Sequence, residues 1–186
     1  MKVVKKIFIR TYNRFSLSIF QNKVMIMIIN YLVDIPVAIA SFFGMEAVAR
    51  LMHKYLMHGI LWSVHKDHHI DMKRKFQRNN LFGLFFAVVA IILFTETAKT
   101  GNTVFASVGF GMAIYGLVYL IVHDMIIHNS YLHLRDRKHS KYVENLIAVH
   151  QMHHQNDGKN RGRNWGFLFY IPGIDIPPQK GSEKQK

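Results

Sequence analysis

The residues of this chain that can do chemistry are its histidines, and their spacing repeats. Between His53 and His69, five of seventeen residues are histidine, set out as HxxxxH (His53, His58) and then HxxHH (His65, His68, His69). Further on, His123 and His128 repeat HxxxxH, while His150, His153 and His154 repeat HxxHH. Ten of the twelve histidines therefore fall into two copies of one pattern. On an α-helix the first and third histidines of HxxHH lie one turn apart with the middle one beside them, so all three imidazoles leave one face. HxxxxH behaves differently, because five residues overshoot a turn by about 140°. Each such pair converges only where the helix ends, bulges or bends, and Gly59, directly after His58, is a place for that. A single histidine is usually a solvated polar residue. Two tripods with two matched pairs point to metal binding.

Eight to ten imidazoles exceed what one first-row metal takes, and they suit two metals held close together. Spacing alone does not choose among zinc, copper, iron and nickel. The chain has no cysteine, which excludes disulfides, thiolate zinc sites and iron–sulfur clusters. It also lacks a glycine-rich dinucleotide loop, a P-loop and a Ser-His-Asp signature, so no catalytic residue is expected beyond the metal ligands.

The elements that must position these ligands are apolar blocks. At 186 residues the chain is one domain by length. The net charge of +13 is gathered in basic runs at 2–14, 73–78, 135–141 and 159–163 that flank those blocks. Anionic lipid headgroups, and not nucleic acid, are their expected counterpart. Residues 24–49 are long enough to cross a bilayer, although Asn30, Asp34 and Pro36 interrupt them. Residues 81–98 and 103–122, joined by a tight turn at 99–102, read as a transmembrane hairpin because they are apolar all round. A hairpin leaves and re-enters one side of the membrane, so both histidine sets meet on one face. Gly109, Gly111 and Gly116 let the helices approach closely. Residues 143–154 read as an amphipathic helix ending in the second tripod, and 165–171 as an aromatic segment for the interface or an apolar substrate.

The fold expected is thus all-α, an integral membrane helical bundle with a histidine-rich two-metal site at its cytoplasmic face. Its parts are a basic N-terminal extension (1–23), a membrane domain (24–172) and a polar tail (173–186). The extension reads as an interfacial helix, with a targeting segment or an unstructured arm as alternatives. Seven Lys/Arg in 50–78 and ten after the third block place the histidine face in the cytoplasm, but the six in 1–23 favour that same side. Three spans cannot satisfy both, so either the first block is partly re-entrant or the N-terminal charges are overruled. Glu46, seven residues before His53, either orients a histidine or marks the membrane edge; Asp67 and Asp124 are further candidates to orient imidazoles, with simple solvation as the alternative for Asp67.

The stretch HKYLMHG-x-LW-x-x-HKDHH, with HDMIIH, HQMHH and GFLFYIP after it, resembles the bacterial-type β-carotene hydroxylases of the fatty acid hydroxylase superfamily, which are membrane di-iron enzymes. The likeness covers residues 46–172. It implies two irons held by His53, His58, His65, His68, His69, His123, His128, His150, His153 and His154. It implies O₂-dependent hydroxylation of the β-ionone rings at carbon 3, giving β-cryptoxanthin and then zeaxanthin, with electrons from a ferredoxin or an NAD(P)H-linked donor. Asn129-Ser130-Tyr131 departs from the Gln-Arg-type continuation of that family, and His133 and His139 fall outside the pattern as surface residues. Two other readings stay open: a fatty acyl or sterol hydroxylase or desaturase of the same superfamily, and a membrane metal-binding or transport protein.

Overall fold

The computed structural model describes residues 2–70, 77–155 and 164–171, with side chains from residue 17 onward. Helix α1 (Lys2–Leu51) winds without a break into a π-helix, π1 (Met52–Ile60), and then α2 (Trp62–Ile70). Helices α3 (Asn80–Thr100) and α4 (Thr103–Tyr119) form the hairpin, and α4 continues as a second π-helix, π2 (Leu120–Ile127). A 3₁₀ turn (Leu134–Asp136) leads to α5 (Lys141–His154). Every regular element among the described residues is helical, as expected. Three stretches are long and apolar enough to cross a membrane: Leu17–Ile60, Asn80–Thr100 and Thr103–Ile127.

The hairpin turn follows the local rules read from sequence. Gly101 takes the left-handed conformation (φ 73°) that ends α3, and the Asn102 side chain caps α4 by accepting from the Val104 N–H at 3.1 Å. Thr103 Oγ1 donates to Asp34 Oδ1 at 3.0 Å, which sets Asp34 at the depth of that turn. Between Asp34 and Arg50 the first helix therefore rises about 25 Å, close to a bilayer core. Pro36 removes one helical N–H without ending α1, which runs unbroken to Leu51.

Helix α4 packs between α1 and α3, and two of its glycines explain how. Residues two apart on a helix point in nearly opposite directions. A Cβ on Gly111 would overlap Ala38 O of α1 and lie 2.7 Å from Ser41 Cβ, while one on Gly109 would lie 3.3 Å from Ala90 O of α3. Ser41 Oγ donates to Val108 O at 2.8 Å across the closer contact. Gly116, expected to serve the same purpose, has open space beside it instead and borders a cavity described below. Gly111→Ala should destabilise the bundle by about 1–3 kcal/mol through overpacking against backbone, whereas Gly44→Ala, with nothing within 4 Å, should not. Thermal unfolding in detergent by circular dichroism tests this; equal midpoints for the two variants would contradict the packing described.

Candidate metal centre

The HxxxxH pairs converge because the helices carrying them are π-helical. An i→i+5 hydrogen bond makes residues five apart near neighbours on one face. His128 N–H donates to His123 O at 2.9 Å, so this bond joins the two members of one pair; Leu61 N–H donates likewise to Leu56 O at 2.8 Å at the end of π1. The rings of His53 and His58 lie 5.0 Å apart and those of His123 and His128 4.5 Å apart. Gly59 leaves helical geometry (φ −104°, ψ −115°), and the chain turns there into α2.

All ten histidines of the repeated pattern meet in one buried region at the end of the bundle. His53, His58, His65, His69 and His153 bring one nitrogen each to a common point, and His68, His123, His128 and His150 do the same beside them, with ligand atoms within 4.8 Å of one another in each group. His154 adjoins the second group through Nε2, 2.9 Å from His150 Nε2. The groups do not follow the sequence copies. The middle histidine of each HxxHH crosses over: His68 joins the second set and His153 the first. A tripod on one helix face thus divides between the two groups, its middle imidazole nitrogen lying with histidines of the other copy.

The donor set fits metals. Nitrogens bound at about 2.1 Å and at right angles lie about 3 Å apart. The observed Nε2–Nε2 separations are 3.2 Å (His53–His65), 3.1 Å (His65–His69), 3.1 Å (His58–His153) and 2.9 Å (His128–His150). Oxygen acceptors fix the outward nitrogens. His53 Nδ1 donates to Trp165 O (3.1 Å), His65 Nδ1 to Asn79 Oδ1 (2.7 Å), His68 Nδ1 to Gln77 Oε1 (2.7 Å) and His123 Nδ1 to Asp124 Oδ1 (2.7 Å). Each of these bonds holds the proton on Nδ1 and turns the Nε2 lone pair inward. His68 Nε2 and His123 Nε2 are buried with no hydrogen-bond partner among the described residues, a costly state that a metal would relieve.

Burial also keeps the imidazoles neutral, which ligation requires. Desolvation holds His65, His68, His128, His150 and His154 below the ordinary histidine range and His69 down at about 2; except at His68, neighbouring histidines add to the effect.

Of the three carboxylates, Asp124 orients an imidazole directly. Asp67 accepts the Arg78 backbone N–H at 2.7 Å and so holds the turn that carries Gln77 and Asn79. Glu46 binds the strap 164–171, accepting from the Phe167 N–H (3.0 Å) and the Leu168 N–H (3.2 Å). The aromatic strap, expected at an interface or a substrate, is folded into the bundle with Phe167 and Leu168 buried. Gln77, Asn79 and the Trp165 carbonyl went unnoticed in the sequence. The only available signal was uncharged amide side chains at the end of an otherwise basic link. His133 is exposed, and His139 Nε2 donates to Leu134 O (2.9 Å), both apart from the centre.

An apolar cavity of about 570 Å³ lies between α1, α3 and α4. Its walls include Phe86, Ala90, Phe94 and Met112, together with Asn79, Tyr119, Asp124 and Phe167, which touch histidines.

The fatty acid hydroxylase family model matches residues 38–175. The chain belongs to that family. Its members are hydroxylating oxidoreductases, and this chain is 38% identical over 129 residues to a β-carotene hydroxylase of Pantoea ananas (69% of this chain, 73% of that one). It is 32% identical to one of Pseudescherichia vulneris (83% and 93%) and 34% identical to one of Paracoccus sp. strain N81106 / MBIC 01143 (75% and 85%). No solved structure matches the chain significantly.

Two tests follow from the geometry. Since His58 and His153 share a group, the double variant His58→Ala/His153→Ala should weaken one of two metal sites and spare the other in a metal titration; weakening of both would contradict the crossing. Acid should destabilise the metal-free protein. With folded-state values below the unfolded value of about 6.5, the unfolded chain binds more protons as pH falls past 6.5, so stability is present above that pH and declines below it. A thermal midpoint that stays constant from about pH 8 to pH 5 would contradict this.

Proposed function

We propose that this protein is a β-carotene 3-hydroxylase, converting the β-ionone rings through β-cryptoxanthin to zeaxanthin. One oxygen atom of O₂ enters a ring C–H bond and the other leaves as water, with two electrons and two protons consumed. The observation that carries this reading is the apolar cavity, part of whose wall is made by Asn79, Tyr119, Asp124 and Phe167, which touch histidines of both groups. A hydrocarbon ring suits such a largely apolar space, and the wall it would meet beside Asn79 and Asp124 is in contact with the proposed ligands. The names of the similar bacterial proteins support the choice of a carotenoid over an acyl chain or a sterol.

The ten histidines are proposed as ligands of two irons, with His53, His58, His65, His69 and His153 on one and His68, His123, His128, His150 and His154 on the other. When bound, the irons activate O₂ with electrons from a ferredoxin-type or NAD(P)H-linked donor. The chain's own part is to hold the ligands, keep water out and seat the substrate. Asp124 and Asn79 keep the protons of His123 and His65 on the outward nitrogens. Trp62 and Trp165 pack on His58 and cover the first group. No side chain need act as a nucleophile. Lys/Arg around the histidine end support a cytoplasmic placement, where soluble electron donors have access.

The test is pigment analysis of β-carotene-producing bacteria expressing the chain. Zeaxanthin or β-cryptoxanthin is expected from the parent and neither from His68→Ala. Asp124→Asn should lower conversion by about 10–100-fold. Unchanged β-carotene in cells that hold membrane-inserted, metal-loaded protein would refute the carotenoid assignment and turn attention to acyl and sterol substrates.

A further inference from the structure

The histidine centre is closed on one side by the strap, residues 164–171, and the strap is held by a carboxylate two helical turns before the first histidine. Glu46 is buried in α1. Its oxygens accept from the backbone N–H groups of Phe167 (3.0 Å), Leu168 (3.2 Å) and Phe169 (3.5 Å), from the Tyr115 hydroxyl of α4 (2.8 Å) and from Arg50 Nε (3.0 Å). Arg50 completes the clasp by donating from Nη2 to the Phe169 carbonyl. Consecutive backbone amides aimed at one carboxylate make a rigid joint, since the charge meets several donors away from water. Gly166 is the residue that permits it. A Cβ there would overlap the Arg50 guanidinium and lie 2.5 Å from Phe169 O.

What the joint holds reaches the metal centre at two points. The Trp165 carbonyl accepts from His53 Nδ1 (3.1 Å), and the Phe167 ring lies parallel to that of His53 with centroids 4.7 Å apart. Phe167 also meets His123 of the other group edge to face (5.3 Å) and lines the apolar cavity. We propose that Glu46 is a positioning residue for the metal centre: by clamping the strap it fixes the ring orientation and tautomer of His53 and seats Phe167 between the cavity and both histidine groups. The proposal rests on the reading of these histidines as metal ligands. Glu46 touches none of them. Its influence passes through main chain that is remote in sequence, so it is coupled mainly to the group containing His53.

Cobalt(II) titration of the metal-free protein in detergent, joined to fluorescence of Trp165 in a Trp62→Phe background, tests this without turnover. Trp62 and Trp165 are the only tryptophans, so Trp165 alone then reports on the strap. Glu46→Gln keeps the side chain's size and weakens the clasp; Gly166→Ala pushes the strap from Arg50 without altering Glu46. Both variants, with parental helix content by circular dichroism, are expected to expose Trp165 to acrylamide quenching. Both should weaken one cobalt site by about 10–100-fold and leave the other unchanged. Parental affinities at both sites in either folded variant would overturn the proposal alone, whether or not Trp165 became exposed, and so would equal loss at both sites. A parent chain that binds no metal would overturn it together with the ligand reading.

Discussion

Ten imidazoles packed nitrogen to nitrogen, away from water, are the constraint on which the rest of this structure depends. Each ring has two nitrogens, and a neutral imidazole can offer only one lone pair. Inward lone pairs therefore require outward protons, and outward protons require acceptors in a place where water is scarce. That requirement accounts for Asn79, Gln77, Asp124 and the Trp165 carbonyl at Nδ1 positions, and for the depressed proton affinity of the rings on α2 and α5. The membrane helices supply the rigid frame, since a ligand set misplaced by an ångström leaves buried polar groups without partners.

The two copies of the histidine pattern behave as halves of one centre. Each half brings a pair from a π-helix and a triplet from an α-helix, and each lends its middle triplet histidine to the other. The exchange ties α2 to π2 and α5 to π1. Neither half forms a complete centre, so metal binding and tertiary folding are expected to reinforce one another. The apolar cavity is lined by the helices that carry these pairs, and it meets the histidines through Asn79, Tyr119, Asp124 and Phe167.

The strap shows how a segment with no regular structure becomes part of such a centre. Its backbone amides would be costly to bury unpaired, and the Glu46 carboxylate satisfies them together. Its carbonyl at Trp165 then serves His53. Aromatic bulk at Phe167 fills the gap between the histidine groups and the cavity, where a smaller side chain would leave space for water.

Much of this was legible in the residues. Unbroken apolar runs dictate spanning helices because hydrocarbon leaves backbone groups no partner but the helix itself. Gly101 and Asn102 dictate the hairpin turn, which in turn brings both histidine sets to one face. The donor types, all imidazole nitrogen, point to metal binding, and that expectation follows from composition and spacing. Other features arose only on folding. Whether HxxxxH bulges as a π-helix depends on what the second histidine meets, and the crossing of His68 and His153 depends on how α2 and α5 face each other. Glu46 and Phe167 are 121 positions apart in the chain, and no local pattern links a carboxylate in a membrane helix to amides that distant. Local sequence determines which groups are available and which faces they share. Only tertiary contact decides which groups pair, because each pairing is settled by the burial of both partners at once.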